Sequence, residues 1–581
     1  MERNIAIIGI GPRGGFAFEK LVEKLNCEKG FKNIHIALFE QTQNYGNGQV
    51  YNLKQNSSNW INITERITDL PKRKAFRLDS LSINEFPSYK QWAFKDKDFD
   101  ETNPDTYPPR SKMGKYLSQR FNSLVQPLIN EGLATIINEK VEYLEWLPSG
   151  KLLLKTSENE YKGFDEALLT IGHQPTSDDK QIKQWEQYVS KNTHVHLFKE
   201  AYPIKKYLHH KALTINSTIA IRGFGLAMID ITRAIALNFG NFIYTDIETR
   251  GCKFDSTQLT QNLIVPFSLD GLPPVPKPLN ANIDKLFKPT QQSLSDFEEK
   301  IANHQTQQSA NSPDFLLNAF APIAKEIFNN LPFKNLEGVT ENIEEVIKLW
   351  LKAPSYTHSL ITANNQSPLS TMEEFVGMAT GKTPISLDYC VGQVWRYCQP
   401  TIYSALSHNK CDEKVFGEII QIDESTKRYS FGPPVESIQQ MIALIKVGFL
   451  NIDFANNPSI SLTKKGWELS SNKKQITASI MIDSMIDSPK VKAVTAPLVS
   501  KLLADNIMEP VHSEFGIVTD EYGYLVSENI DNKIPIALLG RLAKGTVIGV
   551  DAILECFGKR PEMWAEKASK NHLNWLKKNY D

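Results

Sequence analysis

The sequence predicts an α/β protein made of two Rossmann-like dinucleotide-binding domains with a mainly helical insertion. Three observations predict it. An apolar run near the N-terminus leads into a glycine loop, AIIGIGPRGG, Ala6 to Gly15. A second loop of the same kind, AIRGFGLAMID, Ala220 to Asp230, comes far downstream. After it lies a long stretch of helix formers, and a glycine-rich segment follows near the C-terminus.

Asn4 to Ile8 reads as a buried strand. Gly9, Gly11 and Gly14 then give G-x-G-x-x-G, and Phe16 to Leu25 has helical spacing. Gly9 permits the tight turn, Gly11 lets a pyrophosphate approach the backbone, and Gly14 lets helix and strand pack closely. The helix N-terminus directs free N–H groups at the phosphates. Pro12 and Arg13 sit between the glycines; Arg13 either touches a phosphate or is a solvated loop charge. A second strand, IHIALFE, ends in Glu40, 26 residues beyond Gly14. A carboxylate there accepts hydrogen bonds from ribose hydroxyls and repels a 2′-phosphate, so this site suits FAD or NAD better than NADP.

Thr218 to Arg222 is a second strand-like run, followed by Gly223, Gly225 and a helix from Leu226 to Leu237. Met228 stands where a third glycine would be. Downstream, IVPFSLDGLPPVPKP (Ile264 to Pro278) reads as a strand, a polar turn and a Pro-rich loop. A reader of a 2′-phosphate would want Arg or Lys in that turn. The chain offers Leu269 and Asp270, with Arg222, Arg250 or Lys277 as compensating cations, so NADH and NADPH both stay open.

From Asn280 to about Tyr429 the apolar spacing is helical, as in SDFEEKIANHQ and NIEEVIKLWLKA, with NHQTQQSANSPD as a polar loop. YCVGQVWRYCQPTIYSALSH reads as a helix pair broken at Pro400. Arg396 within it either meets a substrate carboxylate or is a solvated helix charge. His173, beside Gly172, either relays a proton or is a turn residue satisfied by backbone. The remaining histidines, the His194/His196 alternation included, show no metal spacing, and no metal is expected.

Composition narrows the function classes. A chain of 581 residues is expected to hold two to four domains. A formal net charge of −1 argues against bulk nucleic-acid binding. Six cysteines include no Cys-x-x-Cys pair, which argues against a disulfide reductase. No signal-peptide pattern precedes the first strand, and no apolar run reaches the ~20 residues of a membrane helix. A cytoplasmic protein without a membrane partner is expected.

With both loops in view, the chain resembles FAD/NAD(P)-binding flavoproteins that carry an N-terminal FAD fingerprint and an inserted NAD(P)H domain. These are distant relatives of the class B flavin monooxygenases and amine N-hydroxylases, including amino-acid N-oxygenases that oxidise aspartate to nitrosuccinate. FEQTQNYGNGQVYN (Phe39 to Asn52) resembles the family's acidic strand end and Gly-x-Gly-x-x-Tyr loop, with Gly48 and Tyr51 in register. WINI resembles its Leu-Leu-Asn segment, with Asn62 at the Asn near the flavin. YPPRSKMGKYL places Arg110, Gly114 and Tyr116 on a Pro-Arg-x-x-x-Gly-x-Tyr-Leu element. ALLTIGHQP places Gly172 in an Ala-Thr-Gly-His turn, and GFGLAMID resembles Gly-x-Gly-Leu-Thr-x-x-Asp. ALLGRLAKGTVIGVDAI places Gly540, Gly545, Gly549 and Asp551 in a C-terminal flavin segment.

The resemblance implies FAD and NADPH or NADH as cofactors. It implies a monooxygenase that uses O2 and N-hydroxylates a small amine or amino acid. The implied division is an N-terminal FAD part at 1–205, an NAD(P)H domain at 206–285, a helical insertion and possible substrate domain at 286–434, and a C-terminal FAD part at 435–581. GTVIGVDAILECF is then expected to start a helix toward the flavin, with Asp551 on a ribityl hydroxyl or capping that helix. Two alternatives stay open: an FAD-dependent NAD(P)H oxidoreductase without oxygen insertion, and a nucleotide-binding redox-sensing interaction protein.

Overall fold

The computed structural model describes residues 1–27, 31–78, 81–95, 105–256, 262–334, 342–485, 490–511 and 515–580. The strands that place the site are, in chain order, β1 (Arg3–Ile8), β2 (Ile34–Phe39), β3 (Ala134–Ile137), β4 (Glu166–Leu169), β5 (His196–Phe198), β6 (Ile219–Arg222), β7 (Gly240–Asp246), β8 (Gly251–Ser256), β9 (Ile264–Phe267), β10 (Ile480–Asp483) and β11 (Ile536–Leu538). The helices are α1 (Pro12–Cys27), α2 (Arg110–Asn130), α3 (Leu226–Ala236), α4 (Leu387–Leu406), α5 (Glu413–Ser430), α6 (Val435–Lys446) and α7 (Lys559–Tyr580).

The first sheet has the order β11–β4–β1–β2–β3, and every pairing is parallel. Strands run outward from β1 in one direction through β2 and β3. They then restart on its other side with β4 and β11. The crevice at the carboxyl ends of β1 and β4 is therefore the topological switch point, where such sheets hold their ligands. Ile5, Ala6 and Ile7 are fully buried, as a central parallel strand requires. The helical spacing of α1 buries Phe18, Leu21, Val22 and Leu25 against the sheet and against Trp564 of α7, each burial worth ~1.5–3 kcal/mol.

The second sheet repeats the plan in four strands, β5–β10–β6–β9, again all parallel. Its switch point lies between β6 and β10. Pro266 in β9 is tolerated because β9 is an edge strand. Each sheet also has a three-stranded antiparallel meander leading into the strand across its switch point. Tyr143–Trp146, Leu152–Lys155 and Glu160–Phe164 precede β4, and Ser459–Thr463, Gly466–Ser471 and Lys474–Ala478 precede β10. The second meander buries Trp467 and Leu469 against Trp185, Ala220 and Met481.

The sheets do not respect the expected boundaries. β5 lies before 205 and β10 after 435, yet both pair within the second sheet. The His196–Phe198 and Ile480–Asp483 runs complete a sheet whose other strands lie far away in sequence, and neither carries a glycine signal.

The insertion is helical throughout its described regular structure, from Gln291–Ala302 to α5. Two local expectations change. The polar run NHQTQQSANSPD contains a helix, His304–Ser309, because Asn303 Oδ1 accepts the Thr306 N–H at 3.0 Å as an N-cap. The expected helix pair at Pro400 is the single helix α4, with Pro400 on an exposed position. Burial of Val391, Val394, Trp395, Cys398 and Ile402 along α4 overrides the lost hydrogen bond.

Candidate cofactor and active site

At the first switch point β1 ends in Gly9, which adopts a φ of +92°. A Cβ on Gly9 would lie 2.6 Å from the Thr170 carbonyl oxygen, and one on Gly14 would lie 2.1 Å from the Gly9 carbonyl oxygen. The loop, the start of α1 and the end of β4 are thus locked together. The Thr170 hydroxyl donates to the Gly9 carbonyl. Gly11 has only the Gly48 backbone near its Cβ position, at 3.8 Å. Glu40 closes the end of β2, buried, with Oε2 accepting the Ile10 N–H at 3.0 Å and Oε1 accepting the Thr42 N–H at 2.9 Å. A carboxylate fixed between the glycine loop and the β2 end stands at the position where Rossmann units read a ribose.

The second switch point repeats this geometry. Gly223 ends β6 with a φ of +113°, and its Cβ position lies 2.4 Å from Ser484 Oγ. That hydroxyl donates to the Arg222 carbonyl at 2.8 Å. Ser484 follows β10 as Thr170 follows β4. Gly225 precedes α3 and has open space around its Cβ position, so a phosphate can approach the backbone there. The residues at each loop fit a dinucleotide.

The two units are joined by charge. Arg110, at the start of α2, sends Nη2 to Asp230 Oδ2 of α3 at 3.2 Å, and Tyr202 OH donates to the same oxygen at 2.6 Å. Arg233 of α3 is buried beneath them. It donates to the Ser58 carbonyl at 2.8 Å and lies over the Trp60 ring at 4.1 Å.

Between the units and the helical insertion lies a cavity of about 3480 Å³. Of the sequence-predicted residues, Tyr51, Asn62, Arg110, Leu226, Arg396, Gly549 and Asp551 line it, as does His173. Gly9, Gly11, Pro12, Arg13, Gly14, Glu40, Gly48, Gly172, Gly223, Gly225, Gly540 and Gly545 are not among its lining residues. Gly172 nevertheless has open space at its Cβ position. Fifteen Lys and Arg side chains and nine carboxylates line the cavity, an excess of cations in a chain whose net charge is −1. Focused positive potential suits anionic ligands.

Arg13 points away from open solvent and donates to the Val550 carbonyl at 3.2 Å. Its guanidinium occupies the space beside Gly540, which has a φ of +115°. The C-terminal segment therefore covers the first loop. It does so without the expected helix. Positive φ at Gly545 and Gly549 breaks the chain direction, only a short 3-10 turn forms at Leu554–Phe557, and α7 begins at Lys559. Asp551 caps no helix and is committed to an ion-pair cluster at the cavity wall. Its carboxylate meets Lys427 at 2.7 Å and Arg541 at 3.1 Å. Burial would raise its pKa, but Lys427 and Arg541 outweigh it and hold the carboxyl at about 2.

Two further expectations are corrected. Arg396 is not a solvated charge. Its Nη2 pairs closely with Asp284, which also accepts Arg66 at 3.2 Å. Lys277 does not serve the end of β9. It is buried beside Asn62, donates to the Asn62 carbonyl, and has no ion pair among the described residues. Burial first, and the Arg396 charge second, bring its ammonium down to about 7.

Several site residues were given no role by the sequence reading. Tyr403 of α4 packs its ring against Gly549 and donates to the buried Asp423 at 3.1 Å. Glu555 lines the cavity, with Oε2 shut off from solvent and unpartnered among the described residues. Burial raises its carboxyl to about 7 against the opposing charges of Arg13 and Arg560. His408, at a φ of +57°, is pushed down to about 4 by burial and by Arg560. Tyr403 and His408 stand in the quoted run YCVGQVWRYCQPTIYSALSH and Glu555 in GTVIGVDAILECF, but neither run assigned them a role.

Comparison with known proteins follows the same lines. A family model described as FAD-NAD(P)-binding matches residues 6–174. Nitrosuccinic acid synthase of Aspergillus oryzae is 27% identical over 232 residues, 39% of this chain and 34% of that protein. The chain thus matches about a third of the length of this curated relative. Among solved structures, ornithine hydroxylase of Pseudomonas aeruginosa aligns over 99% of this chain and 100% of its own at 12% identity, with a TM-score of 0.46. L-lysine 6-monooxygenase of Pseudomonas syringae aligns over the same shares at 11% identity and a TM-score of 0.46. The matched segment holds β1, the glycine loop, Glu40 and β4 in one parallel sheet, so residues 6–174 are similar to the FAD-NAD(P)-binding family where the first loop is built.

Proposed function

We propose that the protein is an FAD-dependent NAD(P)H monooxygenase that N-hydroxylates a small amine or amino acid. The observation that carries this reading is the pair of equivalent switch points, Gly9 against Thr170 and Gly223 against Ser484, in two sheets joined at Arg110 and Asp230 beside one cavity. Two nucleotide loops beside one cavity, lined by Leu226 next to the second loop and by Gly549 and Asp551 of the segment over the first, suit electron transfer between two nucleotides. The similarity to a nitrosuccinic acid synthase supports oxygen transfer to nitrogen.

FAD would sit on the first loop, with Glu40 at its ribose and with Tyr51, Asn62 and the Gly540–Asp551 segment around the rest. NAD(P)H would sit on the second loop, at Gly223, Gly225 and Leu226. Bound FAD would supply the redox chemistry that links NAD(P)H oxidation to O2. The overall balance is amine, NAD(P)H, H+ and O2 giving hydroxylamine, NAD(P)+ and water.

The chain's own residues bind, orient and exclude water. Lys277, buried and without a carboxylate partner, anchors a substrate carboxylate in its protonated form. Arg396 shares its charge with Asp284 and sets the rim of that subsite. Helices α4 and α5 bring Tyr403 and Lys427 to the cavity wall, with Asp423 buried behind Tyr403. Few groups need be catalytic, since the cofactor carries the reactive atoms.

The test is oxygen uptake by the FAD-loaded protein with NADH or NADPH across a panel of amino acids and diamines, with hydroxylamine products assayed. One compound that raises uptake and yields an oxidised nitrogen product supports the reading. Uptake that every compound leaves unchanged, with peroxide as the sole product, favours an oxidoreductase without oxygen insertion.

A further inference from the structure

We propose that the second glycine loop selects a nicotinamide nucleotide that lacks a 2′-phosphate, with Asp270 and Leu269 as the discriminating pair. The inference rests on reading that loop as the nicotinamide-nucleotide site.

The argument starts from register. β9 is the parallel neighbour of β6, with Arg222 opposite Phe267. The Ser268–Gly271 turn therefore stands at the carboxyl end of β9, beside Gly223 and Gly225. On a Rossmann unit this is where the adenosine ribose is read. The hairpin β7–β8 intervenes in sequence between α3 and β9, so Asp270 lies 45 residues beyond Gly225. Spacing alone hides it; pairing reveals it.

The turn is rigid. Ser268 Oγ donates to Asp270 Oδ1 at 3.0 Å, and the Leu272 N–H donates to the same oxygen at 3.0 Å. The Gly271 N–H donates to Ser268 Oγ at 2.9 Å. Gly271 has a φ of +66° and packs against Asn456, while Ser268 is bonded on both sides to Ala455 and Asn457. The Asp270 carboxylate is thus fixed at the turn. Leu269 projects from the tip at 86% exposure, an apolar surface for a purine face and no donor for a phosphate.

Of the cations that might offset Asp270, Arg222 and Lys277 are committed elsewhere, and Arg250 stands on a fastened turn. Arg222 is held between Asp483 at 3.0 Å and Asp179 at 2.5 Å. The turn that carries Arg250 is fastened to α6 through Gln439, which donates to the Thr249 carbonyl at 2.9 Å. Lys277 is buried at Asn62. A 2′-phosphate dianion would meet the Asp270 carboxylate at the turn, while the guanidinium at the end of β6 is already shared by Asp483 and Asp179. A 2′-hydroxyl would find an acceptor.

The experiment is anaerobic titration of the FAD-loaded protein with NADH and with NADPH, following nucleotide fluorescence. Calorimetry with 5′-AMP and 2′,5′-ADP gives a readout independent of turnover. NADH and 5′-AMP binding about tenfold tighter or more supports the proposal. The double variant Leu269→Arg, Asp270→Ser should reverse the order while FAD content and melting temperature stay unchanged. Equal binding, or tighter NADPH and 2′,5′-ADP, overturns the proposal and leaves the loop assignment standing. Binding of none of the four overturns the loop assignment and the proposal with it.

Discussion

Arg110 of the first nucleotide unit and Asp230 of the second meet at 3.2 Å, Nη2 to Oδ2, and Tyr202 caps the same carboxylate. Asp230 is also the carboxylate within 3.4 Å of the buried Arg233. The joint is therefore a shared counter-ion rather than a surface ion pair. Asp230→Asn leaves Arg233 buried without its partner and is expected to cost about 3 kcal/mol. A clear drop in the urea midpoint checks this. A loss under about 0.5 kcal/mol, the scale of a surface change, contradicts it.

The two glycines that flank the phosphate positions should behave differently. Gly14→Ala forces a Cβ to 2.1 Å from the Gly9 carbonyl oxygen, so melting temperature and FAD retention should both fall. Gly225→Val meets open space, so the fold should be unaffected. Its side chain fills the approach to the backbone and should weaken nicotinamide-nucleotide binding about tenfold, ~1.4 kcal/mol. Parallel measurements of melting temperature, bound flavin and nucleotide affinity separate the two effects.

Lys277 makes substrate capture pH-dependent. Its pKa of about 7 lies below the ordinary lysine value of 10.5 because burial disfavours the charge. The protonated form anchors a carboxylate, so KM for an acidic or amino-acid substrate should rise as pH climbs through about 7. Lys277→Met should raise KM at pH 6 and flatten the profile. The stability sign is opposite: the buried charge costs stability below about 7, and the cost fades as pH rises toward 10.5. The variant should therefore be more stable than the native chain at pH 6.

Asp551 sets an acid limit. Its pKa of about 2 lies below the ordinary 3.8, so its pairs with Lys427 and Arg541 contribute stability above pH 3.8. That contribution is lost as pH falls through about 2. Asp551→Asn should unfold more readily at neutral pH, by ~2 kcal/mol, and lose part of the native chain's acid dependence between those values. Denaturation midpoints at several pH values read both.

Much of the first unit was legible in the sequence because its signals are local. Gly9, Gly11, Gly14 and Glu40 lie within one strand–helix–strand run, and the structure keeps them in that order. The second loop was less plain, since Met228 stands where a third glycine would be. Its surroundings were not legible, since β5, β6 and β10 are brought together from distant positions. The C-terminal segment misled because glycines followed by an apolar run read as a helix start, whereas positive φ at Gly545 and Gly549 makes a turn. Arg396 was singled out by residue type, and its partner Asp284 lies 112 residues away, beyond any spacing argument. Tyr403, Glu555 and His408 owe their surroundings to tertiary packing alone.

The central claim is that two nucleotide loops flank one cavity and exchange electrons there, and it is tested most directly by the visible spectrum of the purified protein during anaerobic addition of NADH and NADPH. Flavin bands that bleach on addition of a nicotinamide nucleotide are the predicted result, with both loops at work. No flavin bands, even after incubation with FAD and removal of the excess, would contradict the account at its first loop; bands that persist with both nucleotides would contradict it at the second.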